Sequence, residues 1–234
     1  MQDLTEAFSA AFRMIVGGDP ALLEIVGLSL EVSSAALLLA AGVGLPLGGL
    51  VALLHFPGRR AVVILLNALM GLPPVVVGLL VYLVLSRSGP LGGLAWLFTP
   101  KAMIVAQFLL IVPIVASLAR QVLEDLWEEY EFQLRSLGAG PLRAIPTLLW
   151  DGRYRLVTTL LAGFGRAIAE VGAVIIVGGN IAHVTRVMTT AIALETRKGD
   201  LALALALGLV LLGMSLVINA AASLVTEFAR RREG

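Results

Sequence analysis

The amino-acid sequence predicts an all-α integral membrane protein with about five transmembrane helices and a helical hairpin on the cytoplasmic side. Of its 234 residues, 59% are hydrophobic and only 14% are charged, whereas soluble domains carry about 25% charged residues. The mean hydropathy is +0.96. Several apolar runs reach the roughly 20 residues that an α-helix needs to cross a bilayer. Together these observations exclude an ordinary soluble domain.

Composition and charge also exclude several classes of function. The net charge is only +1, which gives no indication of nucleic-acid binding. The chain has no cysteine, so disulfides, thiol catalysis and zinc–thiolate sites are excluded. The two histidines, His55 and His183, are far apart in the sequence, and we expect no metal site. The first residues show no basic segment followed by a cleavable apolar core, so we expect no signal peptide.

Residues 1–19 are predicted to form a short amphipathic helix that lies on the membrane surface. Apolar residues recur there at helical spacing, namely Leu4, Ala7, Phe8, Ala11, Phe12 and Ile15. Asp3, Glu6 and Arg13 occupy the remaining arc. A frayed terminus is the alternative interpretation.

Five apolar segments are predicted to cross the membrane within a single domain, residues 1–234. They cover about residues 27–54, 61–85, 102–119, 156–182 and 201–225. Pro73 and Pro74 interrupt the second segment, and the fourth carries two charged residues, Arg166 and Glu170. The two halves of the chain share no repeat. Because five spans are few for enclosing a pathway, we expect two copies to work together.

The distribution of lysine and arginine predicts the orientation, because cytoplasmic loops carry an excess of both. Six lie on the side of the N-terminus, namely Arg13, Arg87, Lys101, Arg186, Arg197 and Lys198. Ten lie on the other side, namely Arg59, Arg60, Arg120, Arg135, Arg143, Arg153, Arg155, Arg230, Arg231 and Arg232. This bias puts the N-terminus outside the cell and the C-terminus in the cytoplasm.

The cytoplasmic loop at about residues 124–153 is predicted to form a projecting helical hairpin. An apolar stripe recurs at helical spacing just before and within it, namely Leu123, Leu126, Trp127, Tyr130, Leu134 and Leu137. The first helix should end at Gly138, a residue type favoured just after a helix. Pro141 suits the first turn of a second short helix that ends near Leu149. A docking knob and a solvated connector are both open interpretations of this loop.

The hairpin resembles the cytoplasmic coupling loop, or EAA loop, of ABC importer membrane subunits. That loop has Glu-Ala-Ala, three residues, then Gly, and later Ile-x-Leu-Pro. Gly138 fits the glycine, but counting back places Phe132 on the family's acid, and Glu131 stands one place early. Trp150 and Asp151 replace the Leu-Pro end. The resemblance implies that an ATPase docks on the residues of this turn, namely Glu131, Arg135, Ser136, Leu137, Gly138, Ala139, Gly140, Pro141 and Leu142.

Two further segments resemble molybdate, sulfate and tungstate permeases. They are residues 71–79 with 89–92, and residues 165–173, which read GRAIAEVGA from Gly165. Residues 177–181, 185–186 and 188–192 are most similar to the tungstate branch, and the resemblance covers about residues 25–225. It implies a type I ABC importer permease fold in the cell (inner) membrane and a homodimeric path for an oxyanion. It also implies two ATPase subunits and an external tungstate- or molybdate-binding protein as partners.

The interrupted and charged spans supply the expected pathway residues. Pro73, Pro74 and Val75 are expected to form a gate, because unwound backbone at membrane depth must be buried or line a cavity. A static kink is the alternative. Arg166 and Glu170 are four residues apart and are expected to pair as part of the architecture, with substrate contact as the alternative. Asn180 closes the fourth span, and the following residues 185–195 form either a small external helix, a re-entrant cap or a plain loop.

The chain is expected to be no enzyme and to hold no cofactor of its own. It lacks the phosphate-binding pattern Gly-x-x-x-x-Gly-Lys-Ser/Thr, so ATP and Mg²⁺ are expected on the partner ATPase. Molybdate or sulfate transport within the same family remains an alternative. Two other classes also remain, an ion-driven secondary carrier and a non-transporting membrane scaffold. The missing repeat argues against the carrier, and the interrupted span and the Arg166–Glu170 pair argue against the scaffold.

Overall fold

A computed structural model describes the backbone of residues 4–233 and the side chains of residues 5–227. Within that range the chain is helical and contains no β-strand. The helices are α1 Leu4–Gly17, α2 Pro20–Leu53, α3 Arg59–Met70, α4 Pro74–Leu85, α5 Pro100–Ser136, α6 Pro141–Asp151, α7 Arg153–Ile168, α8 Gly172–Gly178, α9 Met188–Lys198 and α10 Leu201–Glu233. A single 3₁₀ turn, Gly92–Leu94, lies between α4 and α5. The predicted all-α fold is therefore confirmed for the described residues.

Three helices are long and apolar enough to cross a membrane, namely α2, α5 and α10. Two pairs of shorter helices, α3 with α4 and α7 with α8, would each make one more span, which gives up to five. Helix α2 begins at Pro20, seven residues before the predicted span at 27, and α5 continues to Ser136 beyond the predicted end at 119. The side chains of Arg230 to Arg232, on which the predicted orientation partly rests, lie outside the described residues.

Helix α1 buries only part of its apolar arc within the protein. Ala7 and Ala11 are buried, whereas Phe8 and Phe12 are exposed. The small residues pack against the protein because an alanine lets the helix approach closely, and the large aromatic rings are left on the outer arc.

Residue contacts divide the chain into two units. The first consists of Met1–Ala36, Pro73–Gln107 and Arg166–Val217, and the second of Leu37–Leu72, Phe108–Gly165 and Ile218–Gly234. In the first unit α4 packs against α8, and the ring of Phe98 meets that of Tyr82 edge to face with centroids 6.2 Å apart. The backbone N–H of Phe98 donates to the carbonyl of Val177 at 2.9 Å, which fixes the segment before α5 against α8.

In the second unit the end of α2 packs closely on α5. A Cβ atom at Gly48 would lie 2.7 Å from the carbonyl oxygen of Ala116, so only glycine permits this approach. Small residues let membrane helices approach closely, and the gain in van der Waals contact stabilises the pair. A cluster of buried residues next to this contact joins α2, α5, α6 and α7, and it includes Leu53, Leu123, Leu148 and Leu156.

Candidate functional site

The turn between α5 and α6 has the hydrogen bonds of a Schellman motif. The N–H of Ala139 donates to the carbonyl of Leu134 at 2.9 Å, and that of Gly138 donates to the carbonyl of Arg135 at 3.0 Å. Gly138 has φ 79°, a left-handed conformation that glycine adopts without steric cost. The predicted end of the helix at Gly138 is therefore confirmed.

The second arm of the hairpin begins directly after this turn. Gly140 is the N-cap in an extended conformation and Pro141 is the first residue of α6. Proline suits that position because its missing N–H would have no helical partner there. Helix α6 ends at Asp151, two residues beyond the predicted Leu149.

The inner face of the hairpin is a buried apolar contact. Leu123, Leu126 and Trp127 of α5 pack with Ala144, Ile145 and Leu148 of α6. Each fully buried large side chain contributes about 1.5–3 kcal/mol relative to an exposed one. This packing fixes α6 against the part of α5 that contains Leu123, Leu126 and Trp127. The hairpin is therefore a defined structural element and not a loose connector.

The outer face of the hairpin exposes large apolar side chains. Phe132 is 86% exposed, Leu137 82% and Leu142 61%, and they lie on both sides of the turn. The prediction placed Leu137 in the apolar stripe, which is wrong because α5 ends at Ser136 and the chain turns away before Leu137 can face the stripe. Sequence analysis gave Phe132 no role of its own. Its signal was a large aromatic residue on an otherwise charged arc.

Two charged residues near the turn of the hairpin pair with each other. Glu131 forms an ion pair with Arg135 at 2.6 Å, and the Arg135 guanidinium lies 5.9 Å from the centre of the Trp127 ring. Ser136 donates its hydroxyl to the carbonyl of Gln133 at 2.7 Å, which holds the last turn of α5. Glu131 and Arg135 therefore lie beside the exposed apolar residues. The structure brings all the predicted docking residues together at this one turn.

The predicted interruption of the second span is present between α3 and α4. Helix α3 ends at Met70, and α4 begins at Pro74 with Pro73 as an extended N-cap residue. The N–H groups of Gly71 and Leu72 donate to the carbonyls of Ala68 and Leu69 at 3.1 and 3.2 Å. Neither proline has an N–H group, so the break leaves few backbone donors to satisfy. The helix can therefore be interrupted here at little cost in backbone hydrogen bonds.

Helix α4 crosses α8 at two glycines. A Cβ atom at Gly78 would lie 2.7 Å from the Cα atom of Ala173, and one at Gly172 would lie 2.9 Å from Cγ2 of Val75. The backbones of the two helices are thus in direct contact, and no larger residue fits at Gly78 without moving one of them. Val75, a predicted gate residue, contacts Gly172 and is still half exposed.

The fourth span is also broken, which the sequence analysis did not predict. Helix α7 ends at Ile168 and α8 begins at Gly172, so the continuous helix predicted for residues 156–182 is wrong. The backbone groups freed by the break find partners on distant side chains. Gln107 donates Nε2 to the carbonyl of Ala167 at 3.0 Å, and Thr189 donates its hydroxyl to the carbonyl of Glu170 at 2.8 Å. A break is tolerated in a membrane helix when such groups are satisfied within the protein.

Glu170 lies in this second break and is only 3% exposed. Its Oε2 accepts a hydrogen bond from Nη1 of Arg166 at 2.5 Å, and its Oε1 accepts from the N–H of Ala173 at 3.0 Å. The carboxylate thus joins the last turn of α7 to the first turn of α8. The predicted pairing of Arg166 with Glu170 is present, and both carboxylate oxygens are already used within the chain.

Asn180 and Thr185 organise the segment that follows α8. Asn180 donates Nδ2 to the carbonyl of Thr190 at 3.3 Å, and Thr185 donates its hydroxyl to the carbonyl of Gly178 at 2.5 Å. Met188 begins α9, and its N–H donates to the hydroxyl of Ser29 at 2.8 Å. Of the alternatives for residues 185–195, the plain loop is therefore wrong, because most of the segment is a small helix held against α2.

Comparison with known proteins gives near full-length relatives, although no protein-family model matches the chain. The chain is 44% identical to the tungstate uptake system permease protein of Peptoclostridium acidaminophilum, over 94% of this chain and 96% of the relative. It is 43% identical to a probable anion ABC transporter permease protein of Haloferax volcanii, over 85% and 88%. It is 35% identical to the tungstate uptake system permease protein of Campylobacter jejuni, over 92% and 90%.

Proposed function

Because the chain belongs to the permease proteins of ABC transporters for tungstate and related anions, we propose that it is the membrane subunit of an ATP-driven tungstate importer. The observation that carries this proposal is the 44% identity to a tungstate uptake permease over almost the whole of both chains. A permease makes no covalent change to its substrate. Molybdate and sulfate, the other oxyanions considered, are less well supported, because two of the three relatives above are tungstate permeases.

Two copies of the chain form the translocation path in the cell membrane, each with five spans. The apolar helices and the two broken pairs supply those spans. The N-terminus lies outside and the hairpin and C-terminus lie in the cytoplasm, as the excess of arginine on that side indicates. One protomer exposes large apolar side chains on α4, among them Leu79, Leu80 and Leu83, and they are available to a second copy or to lipid.

The hairpin is the docking site of a separate ATPase subunit, which binds ATP and Mg²⁺. Phe132, Leu137 and Leu142 insert into a cleft of that subunit, and Glu131 and Arg135 lie at the rim. Support comes from their exposure, because a cluster of exposed large apolar residues outside the spans is typical of an interaction surface. Buried aromatic and apolar anchors commonly carry most of the binding energy of an interface.

The broken helices form the gate of the path. Pro73, Pro74 and Val75 begin α4, and Arg166 and Glu170 hold the start of α8, which α4 crosses at Gly78. A rigid contact between two short helices lets them move as one piece about the neighbouring breaks. An external binding protein delivers the oxyanion to the side of Asn180 and α9. ATP binding draws the two hairpins together and opens the path outward, and hydrolysis resets it.

Purification of the tagged permease with its ATPase in mild detergent tests the assembly. The native mass of the complex should equal two permease chains and two ATPase chains. A permease that recovers no ATPase would favour the scaffold alternative and contradict the proposal. Titration of the external binding protein with tungstate, molybdate and sulfate then identifies the anion, and preference for sulfate would contradict the tungstate assignment.

A further inference from the structure

Helix α3 is joined to α5 near both of its ends, and all the residues concerned belong to the second unit. At the first end, Arg59 donates Nε to the carbonyl of Val51 at 2.7 Å and Nη2 to the carbonyl of Ala52 at 3.2 Å. The same guanidinium pairs with the carboxylate of Glu124 on α5, which also pairs with Arg120. Through Arg59, the carboxylate of Glu124 thus connects α5 with the end of α2 and the start of α3.

The chemistry of this first connection favours a fixed geometry. The carbonyls of Val51 and Ala52 lie in the last turn of α2, where no helical N–H remains to bond them and where a cation is favoured. The side chains of Arg59, Arg120 and Glu124 are 28%, 12% and 26% exposed, so all three are partly shielded from water. If Glu124 lost its charge, both guanidinium groups would lose the carboxylate that pairs with them.

The second connection lies near the other end of α3. Ser117 of α5 is fully buried and donates its hydroxyl to Oδ1 of Asn67 at 2.5 Å. Leu66 packs beside it against Val51 and Ala116. Arg59 and Asn67 are separated by about 12 Å along α3, and Glu124 and Ser117 by about 10.5 Å along α5, at 1.5 Å of rise per residue. The two spacings are similar, and the residue numbers rise along α3 while they fall along α5. The two helices are therefore antiparallel and are joined at two points along their length.

We propose that α3 transmits movement of the hairpin to the break at Gly71–Pro73, with Arg59, Glu124, Asn67 and Ser117 as positioning residues. A helix that is joined to its partner at two points along its length cannot rotate or slide independently, so a shift of α5 moves α3 as well. The first point beyond these connections where the backbone is not helical is the break after Met70. This inference rests on the proposed docking of an ATPase at the hairpin and assigns residues that lie outside the docking turn.

The test uses the complex of permease, ATPase and binding protein in proteoliposomes, with anion uptake and ATP hydrolysis measured together. The variants are Arg59→Gln, Glu124→Gln and Asn67→Ala. Arg60→Gln is the matched control, because Arg60 is the adjacent, exposed arginine. The three variants should still assemble with the ATPase and hydrolyse ATP, but uptake per ATP should fall by roughly threefold to thirtyfold. Arg60→Gln should match the wild type, and Arg59→Lys should recover part of the loss because it keeps the charge.

Unchanged uptake per ATP in all three variants would overturn the inference. So would an equal loss of hydrolysis and uptake that leaves their ratio unchanged, because that result indicates a purely structural role. Failure of the docking proposal looks different, since the wild-type permease would then recover no ATPase at all. Asn67→Ala removes no charge, so it keeps the test valid even if Glu124→Gln does not fold.

Discussion

Glu170 shows how a buried acid in a membrane span can be part of the architecture. Its two carboxylate oxygens, its carbonyl and its N–H each have a hydrogen-bond partner within the chain. A charge at membrane depth costs at least about 2.5 kcal/mol unless it faces the protein interior or a partner. Arg166 offsets that cost, because the two opposite charges form an ion pair with no net charge. The oxyanion is therefore expected to meet a locally neutral path.

Glu170→Gln should destabilise the permease by about 2 kcal/mol. Glutamine has one acceptor oxygen, so the amide nitrogen would face either the Arg166 guanidinium or the Ala173 N–H, and the negative charge beside Arg166 would be lost. The partial exposure of Arg166 keeps this loss below that of a wholly buried pair. Thermal unfolding in detergent measures it. The double variant Arg166→Gln/Glu170→Gln should be more stable than Glu170→Gln alone, and the opposite order would contradict the pairing.

Phe132→Ala should weaken assembly with the ATPase by about tenfold, which is the usual effect of removing an anchor residue from an interface. Binding of the purified ATPase to the detergent-solubilised permease measures this. The thermal stability should not change, because Phe132 is 86% exposed and contributes little to the fold. Arg60→Gln is the control, and equal binding by Phe132→Ala and the wild type would contradict the assignment of Phe132 to the docking surface.

At the scale of elements, the two breaks have different origins, and only one could be predicted from sequence. The break before α4 is visible because Pro73 and Pro74 cannot continue a helix. The break before α8 has no proline, and it is held open by Gln107 and Thr189, which lie about 60 and 19 residues away from the groups they bond. Such long-range partners leave no local pattern, so periodicity predicted a continuous helix instead.

Gly78→Ala should force α4 and α8 apart and destabilise the permease by about 1–3 kcal/mol, because the added methyl would meet the backbone of Ala173. Thermal unfolding measures the loss, and anion uptake should fall with it. Gly213→Ala in α10 is the control, since a Cβ there meets nothing within 4 Å. That control should be neutral or slightly stabilising. Similar stability of the two variants would contradict the close crossing of α4 and α8.

For the whole molecule, the composition and the apolar runs of about 20 residues predict the all-α membrane fold, and the turn chemistry of Gly138 and Pro141 predicts the hairpin. The exposure of Phe132, Leu137 and Leu142 could not be predicted in full. Whether Leu137 faces inward depends on the exact residue at which α5 ends. The connections between α3 and α5 could not be predicted from the sequence either, because Arg59 and Glu124 are 65 residues apart. The proposed docking on the hairpin and the proposed path and gate belong to one mechanism. In it, ATP hydrolysis by a partner drives an oxyanion through this chain.

Anion accumulation in proteoliposomes tests that account most directly. Vesicles that contain the permease, its ATPase and ATP inside, with the binding protein and tungstate outside, should accumulate tungstate against its gradient. Accumulation should stop when ATP or the ATPase is omitted, and Gly138→Pro should also abolish it, because proline cannot adopt the left-handed φ of this turn or donate to Arg135. Accumulation driven by an ion gradient in vesicles without any ATPase would contradict the account.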